Sequence, residues 1–134
     1  ALYSSMKAED TTEIKRHVQT VQEEWASRGV TFQENERIRL ITVFFHDKPT
    51  EEESLLFVGH VGVLLTAEDG TLYFVEKVAF QEPYRLLRFV DRTELSDYLM
   101  GKYDVSWGQD TARPFIMENG ELMEGWRANP NGEK

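Results

Sequence analysis

His60 and Glu76 stand in two otherwise apolar runs, Phe57-Val-Gly-His-Val-Gly-Val-Leu-Leu65 and Thr71-Leu-Tyr-Phe-Val-Glu-Lys-Val78. A carboxylate beside an imidazole fixes the ring's tautomer and favours the imidazolium, the arrangement by which cysteine hydrolases hold a thiolate at neutral pH. The chain contains no cysteine. If His60 and Glu76 are catalytic, the nucleophile they serve is not in this sequence.

Whether the two side chains meet depends on the turn between the runs, because side chains alternate between sheet faces with period two. A three-residue loop Glu68-Asp69-Gly70 with Gly70 in the left-handed region pairs Ala67 with Thr71 and His60 with Val78. Glu76 is then a diagonal neighbour of His60, about 7 to 8 Å away at the backbone and within side-chain reach. A two-residue Asp-Gly turn sets His60 opposite Ala79 and turns Glu76 away. On the first register the shared face holds Leu56, Val58, Gly62 and Leu64 with Leu72, Phe74 and Val78. A carboxylate there needs a partner, either His60 or a lysine or arginine from elsewhere. Gly59 and Gly62 flank the histidine and leave room for a helix or a substrate backbone. The bland alternative is a core histidine satisfied by a glutamate. A metal alternative adds His46 or Asp47 to the pair, but the spacing matches no ligand motif. No cofactor motif is present.

The elements that would position this pair read as follows. Asp10 and Glu13 form a capping box, and Ile14, Val18, Val21 and Trp25 then recur at helical spacing as far as Gly29. His17 lies beside that stripe without an assigned role. Arg37 to His46 is a β-branched and aromatic run suited to mid-sheet. Asp47 to Glu53 reads as a charged hairpin loop, followed by strands over Leu55 to Leu65 and Leu72 to Phe80. Gln81-Glu-Pro83 punctuates, and Tyr84 to Val90 makes a further strand. Asp91 and Glu94 cap a short helix through Leu95, Tyr98 and Leu99 to Gly101. Pro114-Phe-Ile-Met117, Asn119-Gly120 and Leu122-Met123 form a small hairpin. Trp107 is a candidate binding aromatic in a loop. Loops this short exclude parallel crossovers, so the expected fold is α+β: one domain over residues 1–134, an N-terminal helix, a mainly antiparallel meandering sheet of at least four strands and a short C-terminal helix, with a frayed tail over 127–134.

Fifteen basic residues against twenty-four acidic give a net charge of −9, a field that repels nucleic-acid backbones and anionic headgroups. No apolar run approaches the roughly 20 residues of a membrane helix, so a spanning protein is not expected. A start at Ala1 without an initiator methionine suggests a trimmed or cleaved product.

Gly59-His-Val-Gly-Val-Leu64 resembles the histidine strand of NlpC/P60-like and related papain-fold amidases and peptidases, in which a second polar residue, here Glu76, sits on the next strand. A longer set of segments is similar to the C-terminal half of a family of uncharacterised exported bacterial proteins, domain of unknown function 4300, typical of Gram-positive species and often bearing a lipoprotein signal. These are Val43-Phe-Phe-His-Asp47, Phe57 to Leu64, Glu76-Lys-Val-Ala-Phe-Gln-Glu-Pro-Tyr84, Asp97-Tyr-Leu-Met100 with Lys102-Tyr-Asp104, and Pro114-Phe-Ile-Met-Glu-Asn119. The resemblance implies a papain-like half fold and an extracellular or cell-surface location, lipid-anchored through an upstream segment. It implies a missing N-terminal half with a cysteine as the natural partner, and a peptide or peptidoglycan amide as substrate. His60 carries over as base and Glu76 as its orienter, with Gln81 and Glu82 as lesser pocket candidates. The competing expectation is a non-catalytic extracytoplasmic binding or structural module.

Overall fold

Long strands in the centre of the chain organise everything else. The computed structural model describes residues 2–77, 81, 83–105 and 110–131. Among them β1 (Met6–Lys7), α1 (Ile14–Ser27), β2 (Ile38–Thr50), β3 (Glu53–Thr66), β4 (Leu72–Glu76), β5 (Arg85–Phe89), α2 (Arg92–Tyr103), β6 (Phe115–Glu118) and β7 (Glu121–Leu122) follow in order. The strands form one antiparallel sheet in the order β5-β4-β3-β2-β6-β7. β1 pairs with the first half of β3, while β4 pairs with its second half. The expected α+β class and antiparallel meander are present.

β2 is central, as its two-sided apolar run requires, with β3 on one side and β6 on the other. The expected Asp47–Glu53 loop is mostly strand: pairing continues to Thr50↔Glu53, and only residues 51 and 52 turn. The Thr50 hydroxyl accepts from the Glu53 backbone N–H and closes that turn.

Helix signals fared unequally. Asp91 caps α2 as expected, accepting from the Glu94 N–H, while the Glu94 carboxylate accepts from the Val90 N–H. The Asp10 box does not form. Glu13 occupies the N-cap of α1 without a side-chain cap bond, and Asp10 instead holds the Lys48 ammonium. The helix begins only at Ile14, so Asp10 lies three residues before the N-cap and is not placed to accept from the first-turn N–H groups. Gly29, with φ +75°, ends the helix in the left-handed conformation.

Each face of the sheet carries its own core. On one, α2 packs Leu95, Leu99 and Met100 against Ile41, Val43, Leu64, Phe74 and Ile116. On the other, α1 packs Val18, Val21 and Trp25 against Met6, Phe44, Leu56, Phe115 and Met117. The change of face along β3 is made at Gly59. Val43 pairs with His60 but Phe44 pairs with Val58, so Gly59 is an extra residue in β3, a β-bulge. Leu56 and Val58 therefore point towards α1, whereas His60, Gly62 and Leu64 point towards α2. This corrects the expectation that all five share one face.

The end of the chain is tied to α2: Arg127 pairs with Asp97, and the Asn129 N–H donates to Asp104. Within the tail expected to fray over 127–134, the Asn131 N–H donates in turn to Asn129 Oδ1, and residues 132–134 lie outside the described set.

Candidate functional site

The hairpin joining β3 to β4 takes the three-residue form. Gly70 has φ +88°, its N–H donates to the Ala67 carbonyl, and the Ala67 N–H donates to the Thr71 carbonyl. Gly62 then pairs with Glu76, and His60 lies one diagonal step away on the same face. The His60 Nε2–H donates to Glu76 Oε1 at 2.7 Å. Both side chains are almost wholly buried, at 6% and 0% exposure.

Because a carboxylate can only accept, this bond assigns the His60 proton to Nε2 in the neutral ring. Nδ1 keeps its lone pair and meets no hydrogen-bond donor among the described residues. The ring lies between Phe74, 6.4 Å away edge-on, and Tyr103 of α2, 5.3 Å away. The flanking glycines make this possible in an unexpected way. A Cβ on Gly59 would overlap the Phe45 ring, and one on Gly62 would overlap the Phe74 ring and sit 2.9 Å from the Val75 carbonyl. Aromatic side chains, rather than a helix or substrate backbone, fill the space those glycines leave.

Glu76 has two further partners. Arg85, its direct cross-strand neighbour on β5, donates through Nη2 to Oε2 at 3.0 Å. The Tyr98 hydroxyl of α2 also donates to Oε2, in a short bond, and itself accepts from Arg85 Nη2 at 2.6 Å. Burial alone would push the Glu76 carboxyl up, but the bonds from Tyr98, Arg85 and His60 outweigh it and hold the pKa below the ordinary value. Burial, and then the bond to Glu76, push the Tyr98 phenol up to about 12. Glu76 is thus an ionised carboxylate with every oxygen bonded, and its Oε1 is directed at His60.

Arg85 and Tyr98 were not singled out from sequence. The need for a cation beside Glu76 was legible, and the β4–β5 register would have supplied Arg85. Nothing in the spacing of α2 ties Tyr98 to a strand that precedes it. Gln81 is exposed and shows no contact with the pair among the described residues, while Glu82 and Trp107 lie outside the described set. The metal alternative fails on geometry. His46 lies on the α1 side of the sheet, where its Nδ1 accepts from the Ala112 N–H at 2.7 Å and its Nε2–H donates to Ser54 Oγ at 2.6 Å. With the proton on Nε2, His46 cannot serve as a base for Ser54, whose own hydroxyl donates to the Glu9 carbonyl.

No helix among the described residues is long and apolar enough to cross a membrane. No curated protein and no solved structure matches the chain. A family model does: the one described as domain of unknown function DUF4300 matches residues 1–123. That span takes in both helices, the whole sheet and all four residues of the His60–Glu76–Arg85–Tyr98 cluster, and on it the chain belongs to the DUF4300 family.

Proposed function

We propose that His60 and Glu76 are the base and its orienting carboxylate in a cysteine-dependent amidohydrolase of the bacterial cell surface, with the thiol contributed by polypeptide outside these 134 residues. The observation that carries this reading is the tautomer: Glu76 accepts from the Nε2–H and leaves the Nδ1 lone pair for a reaction partner. Nδ1 accepts the thiol proton and the thiolate attacks an amide carbonyl. The imidazolium then returns the proton to the departing amine nitrogen as the C–N bond breaks, and water hydrolyses the thioester. Arg85 and Tyr98 hold Glu76 still through this cycle. The surface location and the peptide or peptidoglycan substrate rest on likeness to exported papain-like amidases.

A native polypeptide that includes the segment upstream of Ala1, treated with a cysteine-directed amide electrophile, tests the proposal. Labelling of one thiol is expected, lost in His60→Ala and slowed in Glu76→Gln. No labelling, or labelling indifferent to His60, overturns it.

A second reading has its own support. Glu76 ties β3, β4, β5 and α2 together through three donors, which is what a structural clamp in a non-catalytic extracytoplasmic module would do. In that case His60→Ala lowers stability and leaves any thiol's reactivity unchanged.

A further inference from the structure

β5 ends the sheet, and among the described residues no strand pairs with its outer edge. The phase of the ladder says which backbone groups are left over. The Ala67 N–H donates to the Thr71 carbonyl, so Thr71, Tyr73 and Val75 bond towards β3, while Leu72, Phe74 and Glu76 bond to β5 through Phe89, Leu87 and Arg85. Leu86 and Arg88 therefore point their N–H and C=O groups outward. Val90, next in that phase, behaves accordingly: its N–H is taken by the Glu94 carboxylate and not by β4. Side chains in the same phase stand in solvent, with Tyr84, Leu86 and Val90 exposed at 72%, 63% and 80%. Arg88, between Leu86 and Val90, is exposed and makes no ion pair or hydrogen bond among the described residues.

We propose that the outer edge of β5 takes an extended peptide strand, added antiparallel, with a carboxylate opposite Arg88 and an apolar side chain opposite Leu86. The backbone decides that the occupant is a strand: two N–H and two C=O groups in one line are satisfied together only by another extended chain. Charge decides which strand. Both charged side chains of β5 are arginines; Arg88 is unpartnered, and Arg85, 45% exposed, gives Glu76 and Tyr98 only its Nη2. Glu94 and Asp69, which flank the far end of the strand, are already engaged by the Val90 and Thr71 N–H groups. Fields are screened beyond about 8 Å at physiological salt. The arginines within direct reach of an added strand, and not the net charge of −9 on the whole chain, therefore set the preference. The same arginines guard the edge against a second copy, since an antiparallel pair of β5 strands gathers the guanidinium groups of both along one seam. Leu86 and Arg88 face away from His60, so this inference uses no step of the hydrolase reading.

The probe is the peptide acetyl-Thr-Glu-Thr-Val-Glu-Val-Thr-amide, whose first glutamate falls opposite Arg88 and first valine opposite Leu86, followed by amide NMR of the isotope-labelled chain. Binding with a Kd of about 0.1 to 1 mM is expected of so short an edge. Hydrogen exchange should slow at the Leu86 and Arg88 amides and not at Leu87, which already bonds to β4. Lysine in place of both glutamates, or about 0.5 M salt, should weaken binding at least about fivefold. Arg88→Glu should weaken it at least about tenfold with circular dichroism unchanged. Leu86→Pro should abolish it, because proline removes the outward N–H at no cost in ladder bonds. No binding up to about 5 mM overturns the proposal. So does equal binding of the lysine peptide, or protection elsewhere than β5. Protection of the Leu86 and Arg88 amides that grows with protein concentration in the absence of peptide also overturns it, since the occupant would then be a second copy.

Discussion

Glu76 is where the chemistry of single residues concentrates. A carboxylate with no exposed side-chain surface is tolerable because Tyr98, Arg85 and His60 supply three donors to its two oxygens. Glu76→Gln keeps the shape but removes the charge and is expected to cost about 3 kcal/mol, read from urea unfolding. Tyr98→Phe leaves Oε2 bonded to Arg85 alone and is expected to cost about 1 to 2 kcal/mol. The pH dependence has opposite signs for the two groups. The Glu76 pKa is held below its ordinary value, so its stabilisation is complete above the unfolded-state pKa and is lost as pH falls through the folded one. The Tyr98 pKa is raised from 10.0 to about 12, so its stabilisation is complete below 10 and is lost as pH rises towards 12. Burial also raises the Tyr103 phenol, so spectrophotometric titration should show two phenols ionising late, one of them missing in Tyr98→Phe.

Among elements, β3 decides which residues can act together, and it does so at one glycine. Gly59→Ala would drive a methyl into the Phe45 ring. Displacement of Phe45 disturbs Tyr103, 5.8 Å away, which in turn flanks His60. A loss of about 2 kcal/mol by thermal unfolding is expected, together with altered His60 and Tyr103 ring resonances. An unperturbed spectrum would mean that the bulge relaxes without reaching the site. This glycine also marks the limit of what the sequence made legible. The strand runs, the Gly70 turn and the Asp91 cap follow from local chemistry over a few residues, and each formed. The only local trace of the bulge is Gly59 itself, which equally suits a close backbone approach in an unbroken strand, so Leu56 and Val58 read as facing with His60. Pairing of β2 with β6 joins Ile41 to Glu118 across most of the chain, and no local signal chooses that partner. Arg85 and Tyr98 belong to the same class, because their roles exist only after β5 and α2 have docked.

On the scale of the whole molecule, the N-terminal segment is fastened by a pair of histidines that the proposed chemistry does not use. His17 of α1 is fully buried, and its ring centroid is 4.4 Å from that of His46 on β2. The His17 Nε2–H donates to the Thr11 carbonyl, while its Nδ1 is buried without a partner among the described residues. His46 joins the Ala112 N–H to Ser54, and Ser54 reaches the Glu9 carbonyl. The segment between β1 and α1, α1, β2, β3 and the segment before β6 therefore meet at two rings, and His46 must be neutral there: a proton on its Nδ1 would face the Ala112 N–H donor. Burial and then the neighbouring His17 lower the His46 pKa from 6.5, with Lys48 acting in the same direction and Asp10 and Asp110 opposing. A histidine whose folded pKa is depressed stabilises the fold fully above its unfolded pKa, and that stabilisation is lost as pH falls through 6.5 towards the folded value. The melting temperature should accordingly fall between about pH 7 and about pH 5, before most carboxylates titrate. Hydrogen exchange should quicken over the same range at the Ala112 amide and at the Ala8 amide, which is bonded to the Ser54 carbonyl. His46→Gln, unable to titrate, should be less stable near neutrality but flatter across that range. An equal slope in the variant would place the acid sensitivity elsewhere and leave the histidine pair a passive part of the core.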